Sequence, residues 1–130
     1  MPHKRESPVQ VLIVDDDTEV RMALQDFLVT RGYDVHAVSD ASKAREALKI
    51  EQSDVVLLDV MMPGEDGLSL CRSLVAKGQT RVILVTARTE AESRILGLEL
   101  GADDYVCKPF NPRELAALIE DVLRRDLTMS

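Results

Sequence analysis

The sequence predicts an α/β fold in which five parallel strands form one sheet with helices packed on both of its faces. Short runs rich in valine, isoleucine and leucine alternate strictly with longer segments whose apolar residues recur every three or four positions. Runs that are apolar throughout indicate strands buried on both faces, as in parallel sheets. Strict alternation of strand and helix favours consecutive strand-helix-strand units, which give a doubly wound sheet.

Length and composition indicate a single globular domain. The chain has 130 residues, enough for one domain with its own core and too few for two of ordinary size. Hydrophobic residues at 45% and charged residues at 30% are typical of folded proteins. A formal net charge of -7 opposes nonspecific attraction to nucleic-acid phosphates. The spacing of Cys71 and Cys107 supports neither a disulfide framework nor a zinc site.

The first strand-helix unit follows a tail that we expect to be loose over residues 1–8. The apolar run from Val9 to Val14 predicts a buried strand. A helix comes next, with Asp17 suited to cap its beginning and Gly32 to end it. Its predicted apolar stripe consists of Val20, Ala23, Leu24, Phe27 and Leu28.

The second unit has the weakest pattern. Residues Tyr33 to Val38 alternate like an edge strand, and Asp40 can cap the helix that follows. The modest stripe of that helix is formed by Ala41, Ala44 and Leu48.

In the third unit, Val55 to Asp59 predicts a strand and the segment from Pro63 to Gly67 predicts a loop. A helix ending at Gly78 follows, with the stripe Leu68, Cys71, Leu74 and Val75.

The fourth strand is predicted at Val82 to Thr86, before a helix that carries Ile95 and Leu98 on its apolar stripe and ends near Gly101. The fifth strand is predicted at Tyr105 to Cys107.

The last helix has a cap at Asn111 and a proline at its first turn, Pro112. Leu115, Leu118, Ile119, Val122 and Leu123 are expected to line its inner face. The domain should thus extend over residues 9–125, and the polar residues 126–130 indicate the start of a linker or tail.

Polar side chains stand where four of the predicted strands end. They are Asp15, Asp16 and Asp17 after the first strand, Asp59 in the third, Thr86 in the fourth and Lys108 after the fifth. Ligands of open α/β sheets bind beyond the carboxyl ends of the strands, so these groups should meet there. For each residue alone, helix capping or a solvated surface position is the simpler interpretation. Their joint occurrence favours a site.

The chemistry of such a site suits a phosphoryl group. Clustered carboxylates raise one another's pKa unless a cation intervenes, and Mg²⁺ prefers oxygen ligands. A carboxylate with its charge compensated can attack phosphorus to give an aspartyl phosphate. Lys108 would then place a positive charge beside the phosphoryl oxygens, and Thr86 could donate a hydrogen bond.

With these residues, the chain resembles the receiver domain of two-component response regulators from Val11 to Arg125. The resemblance is carried by Val-Asp-Asp-Asp at residues 14–17, Asp-Val-Met-Met-Pro-Gly-Glu-Asp-Gly at 59–67, Thr-Ala at 86–87 and Gly-Ala-Asp-Asp-Tyr-Val-Cys-Lys-Pro-Phe at 101–110. It implies a flavodoxin-like, three-layer α/β/α fold with strand order 2-1-3-4-5 and five helices. It also implies a cytoplasmic signalling protein rather than an enzyme acting on other substrates.

The resemblance assigns a role to each residue of the predicted site. Asp59 would accept the phosphoryl group from a sensor histidine kinase or a phosphotransfer protein. Asp15, Asp16, Asp59 and the backbone carbonyl of Met61 would hold Mg²⁺, for which Mn²⁺ could substitute. Thr86 and Lys108 would contact the phosphoryl group, Thr86 and Tyr105 would form the conformational switch, and the bond between Lys108 and Pro109 would be cis.

The segment from Arg94 to Tyr105, with Pro112 to Leu115, is most similar to the OmpR/PhoB subfamily. Its members precede a DNA-binding domain and dimerise through the fourth helix, fifth strand and fifth helix. Arg94, Glu114 and Asp104 match charged residues of that face. Leu118 and Glu120 depart from it, since basic residues are expected at both positions to face Asp104 and Glu99. The usual dimer, a different dimer and a monomer all stay open.

Two other functions compete with this hypothesis. The order Asp15-x-Asp17, Thr86 and Lys108 superficially matches an aspartate-nucleophile phosphatase of the haloacid-dehalogenase type, but Gly-Thr does not follow Asp17 and no cap domain fits. The second alternative is an interaction module that keeps the fold without the chemistry, and a stand-alone receiver that acts by protein-protein contact also stays open. The phosphatase alternative makes Asp15 the nucleophile, and failure to bind magnesium would favour the interaction module.

Overall fold

A computed structural model describes residues 8–61 and 67–128 of the chain. Strands and helices alternate throughout, as predicted. The strands are β1 (Gln10–Val14), β2 (Asp34–Val38), β3 (Val55–Asp59), β4 (Arg81–Thr86) and β5 (Asp104–Cys107). The helices are α1 (Thr18–Thr30), α2 (Ala41–Ile50), α3 (Gly67–Lys77), α4 (Glu90–Leu100) and α5 (Pro112–Thr128).

The five strands form one parallel sheet in the order β2-β1-β3-β4-β5, which confirms the predicted topology. Helices α1 and α5 pack with one face of the sheet, and α2, α3 and α4 pack with the other. Along β1, Val11 and Ile13 belong to the core between the sheet and helices α1 and α5. Leu12 and Val14 belong to the core on the opposite face, with helices α2, α3 and α4. Burial on both faces explains why the strand is apolar throughout.

The inner face of α4 differs from the prediction. Ile95 and Leu98 have exposed fractions of 52% and 76%, so their assignment to an inward stripe was wrong. Ser93, Gly97 and Leu100 are buried instead. Small residues at two of these positions, Ser93 and Gly97, let the helix lie close to β5. Apolar periodicity does not predict such inward positions, because the residues there are polar or small. Ala23 of α1 is likewise exposed, although it was predicted to be inward.

The helix ends follow the expected capping chemistry. The Asp17 carboxylate accepts hydrogen bonds from the N–H groups of Glu19 and Val20 at the start of α1, which confirms its predicted role. Asp40 caps α2, and the side chain of Asn111 accepts from the N–H of Arg113 at the start of α5.

Several predictions concern the ends of the described chain. Helix α5 continues to Thr128, three residues past Arg125, where the sequence predicts the domain to end. Residues 1–7 of the predicted tail and residues 63–66 of the predicted loop lie outside the described residues. Gly67, predicted as the last residue of that loop, begins α3 instead. Among the helices of the described part, none is long and apolar enough to cross a membrane.

Candidate functional site

The acidic residues of β1 and β3 come together because the two strands are neighbours. The register pairs Val14 with Leu58, so the next residues, Asp15 and Asp59, lie side by side. Their exposed fractions are 2% and 4%, whereas Asp16 is exposed. One carboxylate oxygen from each of the three lies within 4.8 Å of the others. The structure thus gathers three of the predicted ligands into one acidic cluster.

Lys108 connects the two buried carboxylates. Its Nζ lies 3.0 Å from Asp15 Oδ2 and 3.2 Å from Asp59 Oδ2. The backbone N–H of Lys108 donates to the carbonyl of Thr86 at 2.7 Å, which holds the residue at the end of β5 against β4. The peptide bond between Lys108 and Pro109 is cis, as the resemblance implies.

The electrostatics of the cluster reflect burial. Burial raises the pKa of the Asp59 carboxyl, and the charge of Asp15 raises it further; the Met61 N–H and Lys108 oppose this without cancelling it. Burial alone lowers the pKa of Lys108, but its hydrogen bonds and charge interactions with Asp15 and Asp59 outweigh that effect and raise it. Lys108 is therefore a stable positive charge, and Asp59 is a carboxylate whose ionisation is disfavoured.

One further group contacts the Asp59 side chain, and Thr86 lies on the neighbouring strand, one residue after Val85, which pairs with Asp59. The backbone N–H of Met61 donates to Asp59 Oδ1 at 2.9 Å, while the Met61 side chain is exposed. The metal-binding role of the Met61 carbonyl stays a prediction. Thr86 is completely buried at the end of β4, which pairs with β3, and its Oγ1 accepts from the N–H of Arg88 at 3.0 Å.

Tyr105 is half-buried on β5 and packs at the margin of the core between the sheet and α4. Its OH donates to Glu90 Oε1 at 2.6 Å. Its predicted movement toward Thr86 is not tested by a single arrangement of the chain, so the switch role stays a prediction.

Two residues beside the cluster were missed by the sequence analysis. Nη1 of Arg21, on α1, donates to the backbone carbonyl of Asp15 at 2.8 Å and steadies the acidic loop. Gly67 begins α3, and a Cβ there would stand 3.0 Å from both the Asp59 carbonyl oxygen and Val60 Cα. The place of Gly67 at the end of the predicted loop is a signal that could have found it, whereas the sequence gives none for Arg21.

Charged side chains around β5 pair with one another within the chain. Nη2 of Arg125 lies 2.8 Å from Asp104 Oδ2 and 2.6 Å from Asp121 Oδ2, and Nη1 donates to the Asp103 carbonyl at 2.7 Å. Asp104, which matches a charged residue of the subfamily's dimer face, therefore has a partner on α5 of its own chain.

Comparison with known proteins gives a consistent family. Residues 11–120 match the model of the response regulator receiver domain. The chain is 53% identical over 119 residues to protein PetR of Rhodobacter capsulatus, with 92% of this chain and 50% of PetR covered. It is 46% identical over 118 residues to the transcriptional regulatory protein GltR of Pseudomonas aeruginosa, with 88% and 49% covered. The chain thus spans about half the length of these curated relatives.

Solved structures show the same likeness. The receiver domain of the TMAO respiratory system response regulator TorR has a TM-score of 0.84 and 38% identity, with 91% of this chain and 98% of that one covered. A CheY-like receiver domain protein from Methanospirillum hungatei has a TM-score of 0.86 and 29% identity, with 95% and 100% covered.

Proposed function

Since the chain belongs to the response regulator receiver domain family, we propose that it is a signalling switch in which Asp59 accepts a phosphoryl group. The donor would be a sensor histidine kinase or a phosphotransfer protein. An oxygen of the Asp59 carboxylate forms the bond to phosphorus, while the bond from phosphorus to the donor histidine nitrogen breaks and that nitrogen keeps the electron pair. The chain acts on its own phosphorylation state and on no other substrate.

The observation that supports this proposal is the convergence of Lys108 on both Asp15 and Asp59. A buried carboxylate facing an ammonium group within 3.2 Å is a nucleophile beside a ready counter-charge for phosphoryl oxygens. Thr86, at the end of the next strand, is suited to donate its hydroxyl hydrogen to a second phosphoryl oxygen.

The acidic cluster also fits a hard divalent cation. Carboxylate oxygens from three residues within 4.8 Å of one another form the oxygen-rich donor set that Mg²⁺ prefers. Asp15, Asp16, Asp59 and the carbonyl of Met61 would hold Mg²⁺ or Mn²⁺. When bound, the cation compensates the carboxylate charges and attracts phosphoryl oxygens.

The lengths and names of the relatives support a transcriptional output for the switch. PetR and GltR are about twice as long as the matched region, and GltR is named a transcriptional regulatory protein. We propose that phosphorylation moves Thr86 and Tyr105 inward, changes the surface of α4, β5 and α5, and so controls transcription in the cytoplasm through an attached domain. A stand-alone receiver that acts by protein contact uses the same surface.

Dimerisation through that surface would lack part of its usual charge pattern. Asp104 is held by Arg125 of its own chain, and Leu118 offers it no charge from a second copy. Glu120 stands where a basic partner for Glu99 is expected. Arg94 and Glu114 are the remaining pair, so a charge-paired dimer of the usual kind has reduced support here.

Phosphorylation of the intact chain tests the proposal. Incubation with Mg²⁺ and acetyl phosphate is expected to add one phosphoryl group, which peptide mass mapping should locate on Asp59. Asp59→Asn should abolish it, because the amide lacks the nucleophilic oxygen. Asp26→Asn, the same change on the exposed side of α1, is the matched control and should be phosphorylated like the wild type.

Two results would contradict the proposal. A phosphoryl group that persists in Asp59→Asn would show that another residue accepts it. Repeated turnover of a phosphate ester that is lost in Asp15→Asn would instead favour the phosphatase of the haloacid-dehalogenase type.

A further inference from the structure

Glu90 joins the beginning of α4 to β5 through both oxygens of its carboxylate. Oε1 accepts from the OH of Tyr105 at 2.6 Å, and Oε2 lies 3.4 Å from Sγ of Cys107. Tyr105 and Cys107 are two positions apart on one strand, so they project from the same face of the sheet and a single carboxylate can reach both. Glu90 itself is exposed, and burial therefore does not explain where its side chain lies.

The position of Glu90 is determined by the first turn of α4. Thr89 and Glu92 form a reciprocal capping box, which defines the first turn of α4. The residue before this turn, Arg88, donates its backbone N–H to Oγ1 of Thr86. The short segment 88–90 therefore holds both residues of the proposed switch, Thr86 through a backbone N–H and Tyr105 through a carboxylate.

We infer that Glu90 is a positioning residue that retains Tyr105 in its present place and so restrains the switch before phosphorylation. This inference rests on the proposed function, in which Tyr105 moves toward Thr86 when Asp59 is phosphorylated. The Tyr105 OH must leave Glu90 to do so. A bond that exists in only one of two states shifts the equilibrium toward that state.

The pKa shifts of Glu90 and Tyr105 are those expected for a hydrogen bond from a phenol to an ionised carboxylate. The hydrogen bond from Tyr105 is the main cause that lowers the pKa of Glu90, and the same bond is the main cause that raises the pKa of Tyr105. At neutral pH the acceptor is therefore an ionised carboxylate and the donor a neutral phenol. Such charge-assisted bonds are stronger than those between neutral groups.

The first experiment measures the initial rate at which acetyl phosphate and Mg²⁺ phosphorylate Asp59. Glu90→Ala removes the acceptor, and it should raise this rate about threefold to tenfold, the effect of losing one solvent-exposed hydrogen bond from the resting state. Glu90→Gln, which keeps a neutral acceptor, should give a smaller increase. Glu99→Ala removes an exposed carboxylate from the same helix and should leave the rate unchanged.

The second experiment observes the bond directly in the resting protein. The chain has no tryptophan and two tyrosines, so Tyr105 is the only tyrosine and dominates the emission in a Tyr33→Phe background. Glu90→Ala should change the Tyr105 emission without any phosphodonor, whereas Glu99→Ala should not. This signature distinguishes the loss of the phenol-carboxylate bond from a general loosening of α4.

The two experiments distinguish a failure of the proposed restraint by Glu90 from a failure of the proposed function. A wild-type chain that takes no phosphoryl group on Asp59 would overturn the proposed function, while the fluorescence would still report the Glu90–Tyr105 bond. Normal phosphorylation with equal rates in the wild type and Glu90→Ala would overturn the restraint. The effects of Glu90→Ala and Tyr105→Phe on the rate should be non-additive, since both break one bond, and strict additivity would also overturn it.

Discussion

The carboxylate of Asp59 must be ionised to act as a nucleophile. It nevertheless lies buried beside Asp15, and both features oppose its ionisation. Burial and the neighbouring charge raise its pKa, so its ionisation is less favourable in the folded chain than in the unfolded chain. A raised pKa adds stability that is fully present below the unfolded pKa and is lost as pH rises through the folded pKa. Ionised Asp59 therefore makes the fold less stable at neutral pH than a neutral side chain would.

The prediction at this site is that Asp59→Asn stabilises the chain at pH 7 in the absence of divalent cations. The gain should shrink as pH falls below the ordinary pKa of aspartate, where the wild-type carboxyl is also protonated. Urea unfolding midpoints at pH 7 and at about pH 3.5 measure the difference, with Asp26→Asn as the control. A variant that is less stable at pH 7, or a gain that does not depend on pH, would contradict the assigned pKa shift.

At the scale of single residues, the sequence predicted those positions that the strands dictate. Asp15, Asp59 and Lys108 each stand where a strand ends, and parallel strands bring such positions to one edge. Glu90 and Arg21 escaped prediction for a physical reason. Their contacts depend on how a helix is placed over the sheet and on the direction of long, flexible side chains, neither of which leaves a periodic signal.

Among the elements, α3 begins very close to the backbone at the end of β3. Gly67→Ala would place a methyl group 3.0 Å from the Asp59 carbonyl oxygen and from Val60 Cα, both of them backbone atoms that cannot move aside cheaply. We expect the free energy of unfolding to fall by about 1–3 kcal/mol, the usual range for overpacking. Phosphorylation of Asp59 should slow as well, because its backbone must shift.

Gly97 of α4 provides the matched control for that substitution. A Cβ there would lie 3.8 Å from Cδ1 of Tyr105, an ordinary contact, and alanine favours helix over glycine by about 0.5–1 kcal/mol. Gly97→Ala should thus be neutral or stabilising in the same urea titration. Equal stability of Gly67→Ala and the wild type would show that α3 can retreat from β3 without cost.

Apolar periodicity in the sequence predicts the buried face of some helices correctly and that of others incorrectly. Apolar periodicity predicted the buried residues of α5, including Leu115, Ile119 and Val122, because this helix packs against the apolar side chains of one face of the sheet. It failed for α4, where Ser93 and Gly97 face inward and Ile95 and Leu98 face outward. A helix that packs closely beside a large ring such as Tyr105 is selected for small residues rather than for apolar ones.

For the molecule as a whole, the order of strands links fold to function. Placing β1 and β3 side by side in the centre brings two carboxylates together, and placing β5 at the edge lets Lys108 reach both over the end of β4. The net charge of -7 adds a diffuse negative potential to this local cluster. Cation binding at the cluster should therefore stabilise the entire fold, since the unfolded chain disperses the three carboxylates.

The corresponding prediction is that Mg²⁺ raises the free energy of unfolding by about 1.4 kcal/mol at a concentration ten times its dissociation constant. Thermal unfolding at increasing MgCl₂ measures this, with NaCl at matched ionic strength to remove general screening. Asp15→Asn should lose most of the effect, because it removes a buried charged oxygen from the cluster, whereas Asp26→Asn should keep it. Equal stabilisation of all three chains by Mg²⁺ would mean that the cation acts on the net charge and not at the acidic cluster.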